Sequence, residues 1–363
     1  MSSLPRTTDC LKLVNKQLRV ASKLKSVLQY IVILGVTVLL IYFSLRGLKV
    51  ADGENKWDYL KGTWDDAHKG WLTAMAVLSI LSHIIRAERW RMLLKPVGFD
   101  ARLSSSFLSL MVGYLINLII PRGGEISRSY NLYKLDKIPV VESFGTVVIE
   151  RIVDLVCLIL VIVISFLFES KKLFAFISTL PLSLSGDSKF KILVFVVPAL
   201  VILGLLFYMI FKWNKKVNTV AKKLWASFRD GILSIFKLER KGLFAFYSLF
   251  IWLLYFAMSY TVLKAFPSTS DLGFNAVLSL FAIGAIAMAA PLPGGMGSYH
   301  VLVPQGLFFL YNISLPDAVA FTFIFHGWQT ALYIFFGALS LIITSILVKK
   351  SAAQEKHARE LSS

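Results

Sequence analysis

Glu150, Arg151 and Asp154, in GTVVIERIVDLVCLIL (145–160), lie some eight to twelve residues into the apolar span 143–168. Ionisable groups are expensive inside a bilayer, so their default reading is functional, facing a cavity or a partner. On a helix Glu150 and Asp154, four apart, share a face, and Arg151 lies beside them, able to neutralise one. Proton relay by one carboxylate and packing of Arg151 onto Glu125 both remain open. A helix starting deep in the cytoplasm would instead leave the trio at the interface.

A second constellation is PRGGEISRSY (121–130), which follows the apolar run 106–120 without a polar linker. Pro121 removes a backbone donor, and Gly123 and Gly124 permit backbone angles that other residues avoid. Such backbone survives at membrane depth only where protein buries it or water lines it. Free N–H groups at the break, beside Arg122 and Arg128, suit an anion such as a lipid phosphate. Glu125 and Arg128, three apart, could pair on a following helix; the bland alternative is a loop with surface ion pairs. A third cluster, PLPGGMGSYHVLVPQGL (291–307), breaks a helix at Pro291, Pro293, Gly294, Gly295 and Gly297. Tyr299, His300 and Gln305 supply polar side chains just after that break. His300 has two readings, a proton gate or phosphate ligand and a plain hydrogen bond to a neighbouring helix. His326 and Gln329 lie three apart in FIFHGWQTALY, and Asn117 and Arg89 complete the secondary candidates. Scattered histidines make no metal site, and no cofactor is expected.

The elements that must hold these groups are membrane helices. The chain has 363 residues, 56% hydrophobic and 17% charged, with mean hydropathy +0.69. Typical soluble domains are roughly 45–50% apolar and about 25% charged. Helices of ~20 apolar residues cross a ~30 Å core, and clear candidates are 27–45, 71–86, 143–168, 191–211, 243–265 and 317–347. The net charge of +18 is concentrated between apolar runs, which the positive-inside rule explains without nucleic acid. Cys10 and Cys157 suggest no disulfide framework, and the first apolar stretch reads as a retained anchor.

Charge counting sets the topology. The N-terminal tail carries six Lys/Arg, the loop 86–102 is basic (Arg86, Arg89, Arg91, Lys95, Arg102), and 212–241 carries nine. All three fall on the cytoplasmic side only if 104–139 and 274–312 dip in and return as two hairpins from opposite faces. The expectation is an all-α polytopic membrane protein: about six full transmembrane helices plus two Pro/Gly-broken re-entrant hairpins, an arrangement compatible with inverted repeats. Residues 1–26 form a cytoplasmic basic amphipathic tail, 27–347 the transmembrane domain and 348–363 a cytoplasmic tail. Within the domain, 212–241 reads as an interfacial basic segment on anionic lipid or as a solvated connector. Walker A, dinucleotide, GxSxG and HExxH signatures are missing.

Together the three clusters resemble the lysylphosphatidylglycerol synthase transmembrane-region family, a flippase-like domain. Its proline, Gly-Glu and arginine motif is matched by Pro121, Gly124, Glu125 and Arg128, and its ER-x-x-D by Glu150, Arg151 and Asp154. PGG-x-G is matched by Pro293, Gly294, Gly295 and Gly297, and RAERWRMLL places Arg89 and Trp90 in the family's Arg-Trp segment. The resemblance covers roughly 25–347. Two departures stand out: His300 occupies a position where the family commonly has glutamate, and the chain has no room for the soluble aminoacyltransferase domain. The resemblance therefore implies translocation of a phospholipid or lipid-linked molecule between leaflets, not lysyl transfer. Partners so implied are a membrane lipid with a phosphate headgroup, the anionic lipid surface and, in a homo-oligomer, a second copy. The expected location is a bacterial-type inner (cytoplasmic) membrane, both termini cytoplasmic. Two alternatives are a membrane-embedded lipid-phosphate hydrolase, since ISRS (126–129) resembles the Pro-Gly-x-Ser-Arg-Ser loop of polyprenyl-diphosphate phosphatases, and a scaffold of a lipid-modifying complex.

Overall fold

The computed structural model describes residues 55–179, 233–290 and 292–362, with isolated positions at 35, 38, 39, 41, 42, 44 and 229. The expected spans 27–45 and 191–211, the basic segment 212–241 and the N-terminal tail lie wholly or largely outside the described residues. What is described is helical, with no strand among it. Nine helices follow in order: α1 Lys56–Asp66, α2 Lys69–Leu94, α3 Leu103–Asn117, α4 Gly123–Asp136, α5 Val140–Thr179, α6 Lys241–Ala265, α7 Phe274–Ala289, α8 Ser298–Tyr311 and α9 Leu315–Ser362. Four of them, α2, α5, α6 and α9, are long and apolar enough to cross a bilayer, and the chain is an all-α polytopic membrane protein.

Burial explains where the helix ends depart from the sequence reading. Expected to stop at 86, α2 continues to Leu94, because Arg86 and Arg89 turn into the protein (4% and 0% exposed). The basic loop therefore begins at Lys95, and these two arginines are not loop charges. Likewise α5 runs past 168 to Thr179, with one non-helical residue, Glu169 (φ −135°, ψ 38°), where the apolar run ends. The Glu169 carboxylate accepts from the Tyr311 hydroxyl at 2.8 Å. At the C-terminus α9 continues through 348 to Ser362.

The two broken segments fold as paired short helices. With 15 residues in α3 and 16 in α7, they measure roughly 22 and 24 Å at 1.5 Å per residue, short of the ~30 Å a span needs. In the first pair, Arg122 takes a left-handed conformation (φ 58°) and α4 starts at once. Gly124 lies so close to α3 that a Cβ there would stand 2.2 Å from the Gly113 carbonyl oxygen. Its N–H is capped by Asn117 Oδ1 at 2.7 Å, so Asn117 is a structural clasp of the break. A buried donor left unmade costs about 1–3 kcal/mol. Asn117→Ala should therefore lower the detergent melting temperature without altering helix content, read by circular dichroism; an unchanged melting temperature would refute the clasp.

The second pair turns through Pro293–Gly295, where Gly294, Gly295 and Gly297 all take positive φ. The tips of the two pairs touch. A Cβ on Gly294 would meet Leu118 Cδ2 at 2.8 Å, and Arg122 Nη2 donates to the Ala289 carbonyl at 3.1 Å.

Candidate functional site

Helices α2, α4 and α5 converge on a lattice of buried charge. One turn apart on α2, Arg86 and Arg89 continue the stripe of Ser79 and His83. From α5, Glu150 and Asp154 face them, as their i, i+4 spacing predicts. Arg86 Nε stands 2.6 Å from Glu150 Oε1, and its Nη2 stands 2.6 Å from Asp154 Oδ2. Arg89 Nη2 reaches Asp154 Oδ1 at 2.7 Å and Glu150 Oε1 at 3.3 Å. From α4, Arg128 Nη2 approaches Glu150 Oε2 at 3.0 Å. Glu150, wholly buried, thus touches three arginines.

Neutral groups fix the guanidinium planes. The Tyr255 hydroxyl on α6 accepts from Arg86 Nη1 at 3.0 Å, and the Ser248 hydroxyl accepts from Arg89 Nη1 at 3.3 Å. Arg128 lies over the Trp90 indole, 4.8 Å from the ring centroid. That ring is itself anchored by Nε1 donating to Thr146 Oγ1 at 2.9 Å. A guanidinium over indole gains a cation–π attraction, worth about 2 kcal/mol where desolvated.

Glu125 and Arg128 do not pair with each other. Instead Glu125 Oε1 meets Arg151 Nη2 at 3.2 Å, and Arg151 Nη1 lies 3.9 Å from Asp154 Oδ2. The packing of Arg151 onto Glu125 is therefore observed. Among the described residues, four arginines (86, 89, 128, 151) surround three carboxylates (125, 150, 154), leaving one positive charge uncompensated. Among the described residues Arg128 Nε and Nη1, both buried, have no hydrogen-bond partner. A partly unpaired guanidinium beside excess positive charge is a donor set for an oxyanion.

The arginines of the first two clusters take up different positions. Arg122 is exposed on the hairpin tip, Arg128 is buried in the lattice, and Arg151 lies at its accessible rim with 41% of its side chain exposed. Gly123 and Gly124 open α4. In the ISRS stretch, Ser127 and Ser129 lie on α4 and donate to the Gly124 and Glu125 carbonyls, a helical geometry rather than a phosphate-cradling loop.

The third cluster forms a separate aromatic nest. His326 Nε2 donates to the Gly294 carbonyl at 3.0 Å, holding the turn after Pro293. His300 and His326 rings stand 4.8 Å apart, and Tyr299 stacks on His326 at 5.3 Å. His300 Nδ1 faces the Gly297 N–H at 3.4 Å, while its own carbonyl accepts from Ser44 at 2.5 Å. Gln305 is half-buried on α8, and Gln329 donates to the Tyr333 hydroxyl at 3.1 Å. Among the described residues no group of three or more His, Cys, Asp or Glu is placed to hold a metal.

Sequence reasoning passed over Arg86, Tyr255, Ser248 and Thr146 as site residues. For Arg86 a signal existed: Ser79, His83, Arg86 and Trp90 recur at helical spacing, a polar stripe on an apolar helix. Tyr255 and Ser248 carry none.

A family model described as the lysylphosphatidylglycerol synthase TM region matches residues 26–337. Two relatives come from Methanocaldococcus jannaschii. The UPF0104 membrane protein MJ1078 is 27% identical over 250 residues, 67% of this chain and 99% of its own. The UPF0104 membrane protein MJ1595 is 41% identical over 81 residues, 22% of this chain and 24% of that protein's length. The second match therefore spans about a quarter of that relative. No solved structure matches.

Proposed function

Because the chain belongs to the lysylphosphatidylglycerol synthase TM region family of integral membrane proteins, we propose that it moves a phospholipid or lipid-linked phosphate between leaflets, as a flippase-like transporter. The observation that carries this reading is the buried lattice of Arg86, Arg89, Glu150 and Asp154 on two helices of membrane-crossing length, joined by Arg128 from the short α4, with one positive charge in excess among the described residues. Charges inside a bilayer persist where they line a pathway or pair with one another, and here the pairing falls short by one anion. A phosphate headgroup would supply it, at the unpaired face of Arg128 and the accessible rim at Arg151.

The short pairs α3–α4 and α7–α8 are then re-entrant hairpins entering from opposite faces of a bacterial-type inner membrane, both termini cytoplasmic. Touching tips give a thin barrier beside the charged lattice. Movement of one tip against the other would open the headgroup route to alternate sides.

Purified protein in liposomes with fluorescent phospholipids tests the reading. Wild-type protein should speed dithionite-accessible exchange at least tenfold over empty vesicles. Arg128→Ala should bring the rate back toward background while the protein still elutes as a folded species. Exchange no faster than in empty vesicles would sink the transporter; phosphate release instead would favour a hydrolase.

A further inference from the structure

Where α2 ends and α6 begins, the surface folds into a cavity of about 210 Å³. Two short 3-10 turns wall it, Lys95–Val97 after α2 and Ser234–Lys237 before α6. Met92 lines it and lies three residues past Arg89, so the cavity begins about one turn beyond the charged lattice. No lattice residue takes part in the lining. Charge counting assigns this end of the helices to the cytoplasm.

The lining sorts by chemistry. Met92, Leu238 and Leu243 form an apolar wall, and Lys95, Lys237 and Arg240 supply three cations. Among the described residues none of these cations has a carboxylate within ion-pair distance. Of the two carboxylates in the lining, Glu88 is engaged by Arg91 Nη1 at 2.6 Å, and Glu239 is exposed. The backbone adds to the excess. With Arg240 as its N-cap, α6 opens at Lys241 without any side-chain cap. Phe244 is the first residue whose N–H reaches back, to the Arg240 carbonyl at 3.1 Å. The N–H groups of Lys241, Gly242 and Leu243 therefore have no intrahelical acceptor, and the positive end of the helix dipole stands beside the three cations. A Cβ added at Gly242 would meet nothing within 4 Å, so open space adjoins the helix start.

We propose that this cavity binds a phosphomonoester. Its anionic head is held by Lys95, Lys237, Arg240 and the free N–H groups of α6, and its organic part lies against Met92, Leu238 and Leu243. Three cations against the one unengaged carboxylate, Glu239, leave two positive charges to satisfy. A phosphomonoester carries about −1.5 to −2 at neutral pH, a better match than a single carboxylate. A water-soluble ester and a lipid with a terminal phosphate share this chemistry. An occupant ties the end of α2 to the start of α6, the helices that bring Arg86, Arg89, Ser248 and Tyr255 together, so the site is placed to control the lattice. It is separate from the lattice and does not depend on the lipid-transfer reading.

The test measures binding rather than transport. Full-length protein in nanodiscs of phosphatidylcholine is titrated with radiolabelled AMP, the soluble probe. AMP should bind saturably, one per chain, and a hundredfold excess of adenosine, which lacks the phosphate, should not displace it. Arg240→Gln and Lys95→Gln should each weaken binding at least tenfold. Lys350→Gln, the same loss of charge on the exposed end of α9, should leave it unchanged. Gly242→Asp places a carboxylate in the open space at the helix start, so it should weaken AMP at least tenfold while raising the melting temperature. That variant separates loss of the site from loss of the fold. Nanodiscs doped with phosphatidic acid, followed by native mass spectrometry, identify the source. Retention of that lipid, lost in Arg240→Gln, assigns the site to a lipid monoester; AMP binding that it does not compete assigns a soluble one, and either result supports the site. Saturable binding of neither probe, or AMP binding that Arg240→Gln and Gly242→Asp leave unchanged, overturns the proposal.

Discussion

Glu150→Gln should be the most damaging single change in the charged lattice. Glu150 is fully buried and contacts Arg86, Arg89 and Arg128; neutralising it doubles the uncompensated charge while preserving side-chain shape. Breaking a buried ion pair costs about 3–5 kcal/mol, because the remaining charge stays desolvated. The expected result is a large fall in melting temperature and loss of lipid exchange. Asp154→Asn should cost less, since Asp154 keeps 14% of its side chain accessible and water can take up part of the difference. Pairing Glu150→Gln with Arg128→Met restores the charge count and should recover much of the stability, without recovering transport. If Glu150→Gln melts like wild type, the lattice is not what holds α2, α4 and α5 together.

Gly124→Ala should act through shape alone. The added Cβ would meet the Gly113 carbonyl at 2.2 Å and the Asn117 amide nitrogen at 2.5 Å. The first obstacle is backbone and cannot swing away, so α4 must lift from α3. Overpacking costs about 1–3 kcal/mol and occasionally more, and this site belongs at the upper end. Displacing α4 also draws Arg128 from Glu150, so size-exclusion profile, melting temperature and transport should fail together. Gly113→Ala, where the nearest contact is 3.0 Å, should be milder. A Gly124→Ala protein with wild-type stability would show that the close approach is not needed.

What could be read from the chain follows the range of each interaction. Local patterns located the four long apolar helices among the described residues, the two Pro/Gly breaks and the shared face of Glu150 and Asp154, because helical periodicity and backbone chemistry act over a few residues. Arg86 and Arg89 were misread as loop charges. A hydropathy window ends where arginine appears, and only the distant partners at 150 and 154 make those arginines tolerable inside. The exchange of pairs, Glu125 to Arg151 and Arg128 to Glu150 rather than Glu125 to Arg128, likewise depends on how α4 meets α5. The Tyr114–Tyr333 stack joins α3 to α9 across more than two hundred residues, and nothing in either apolar run announces it.

The separation of charge between helices bears on how the protein is made. Helix α2 carries Arg86 and Arg89, and their carboxylates arrive only with α5, some sixty residues later in synthesis. A lone arginine at the centre of a helix entering lipid costs roughly 2.5–3.5 kcal/mol by insertion measurements. Released singly, α2 would bear that cost until its partner emerged. That cost falls when α5 arrives, so the two helices should partition into the bilayer most favourably as a neutralised pair.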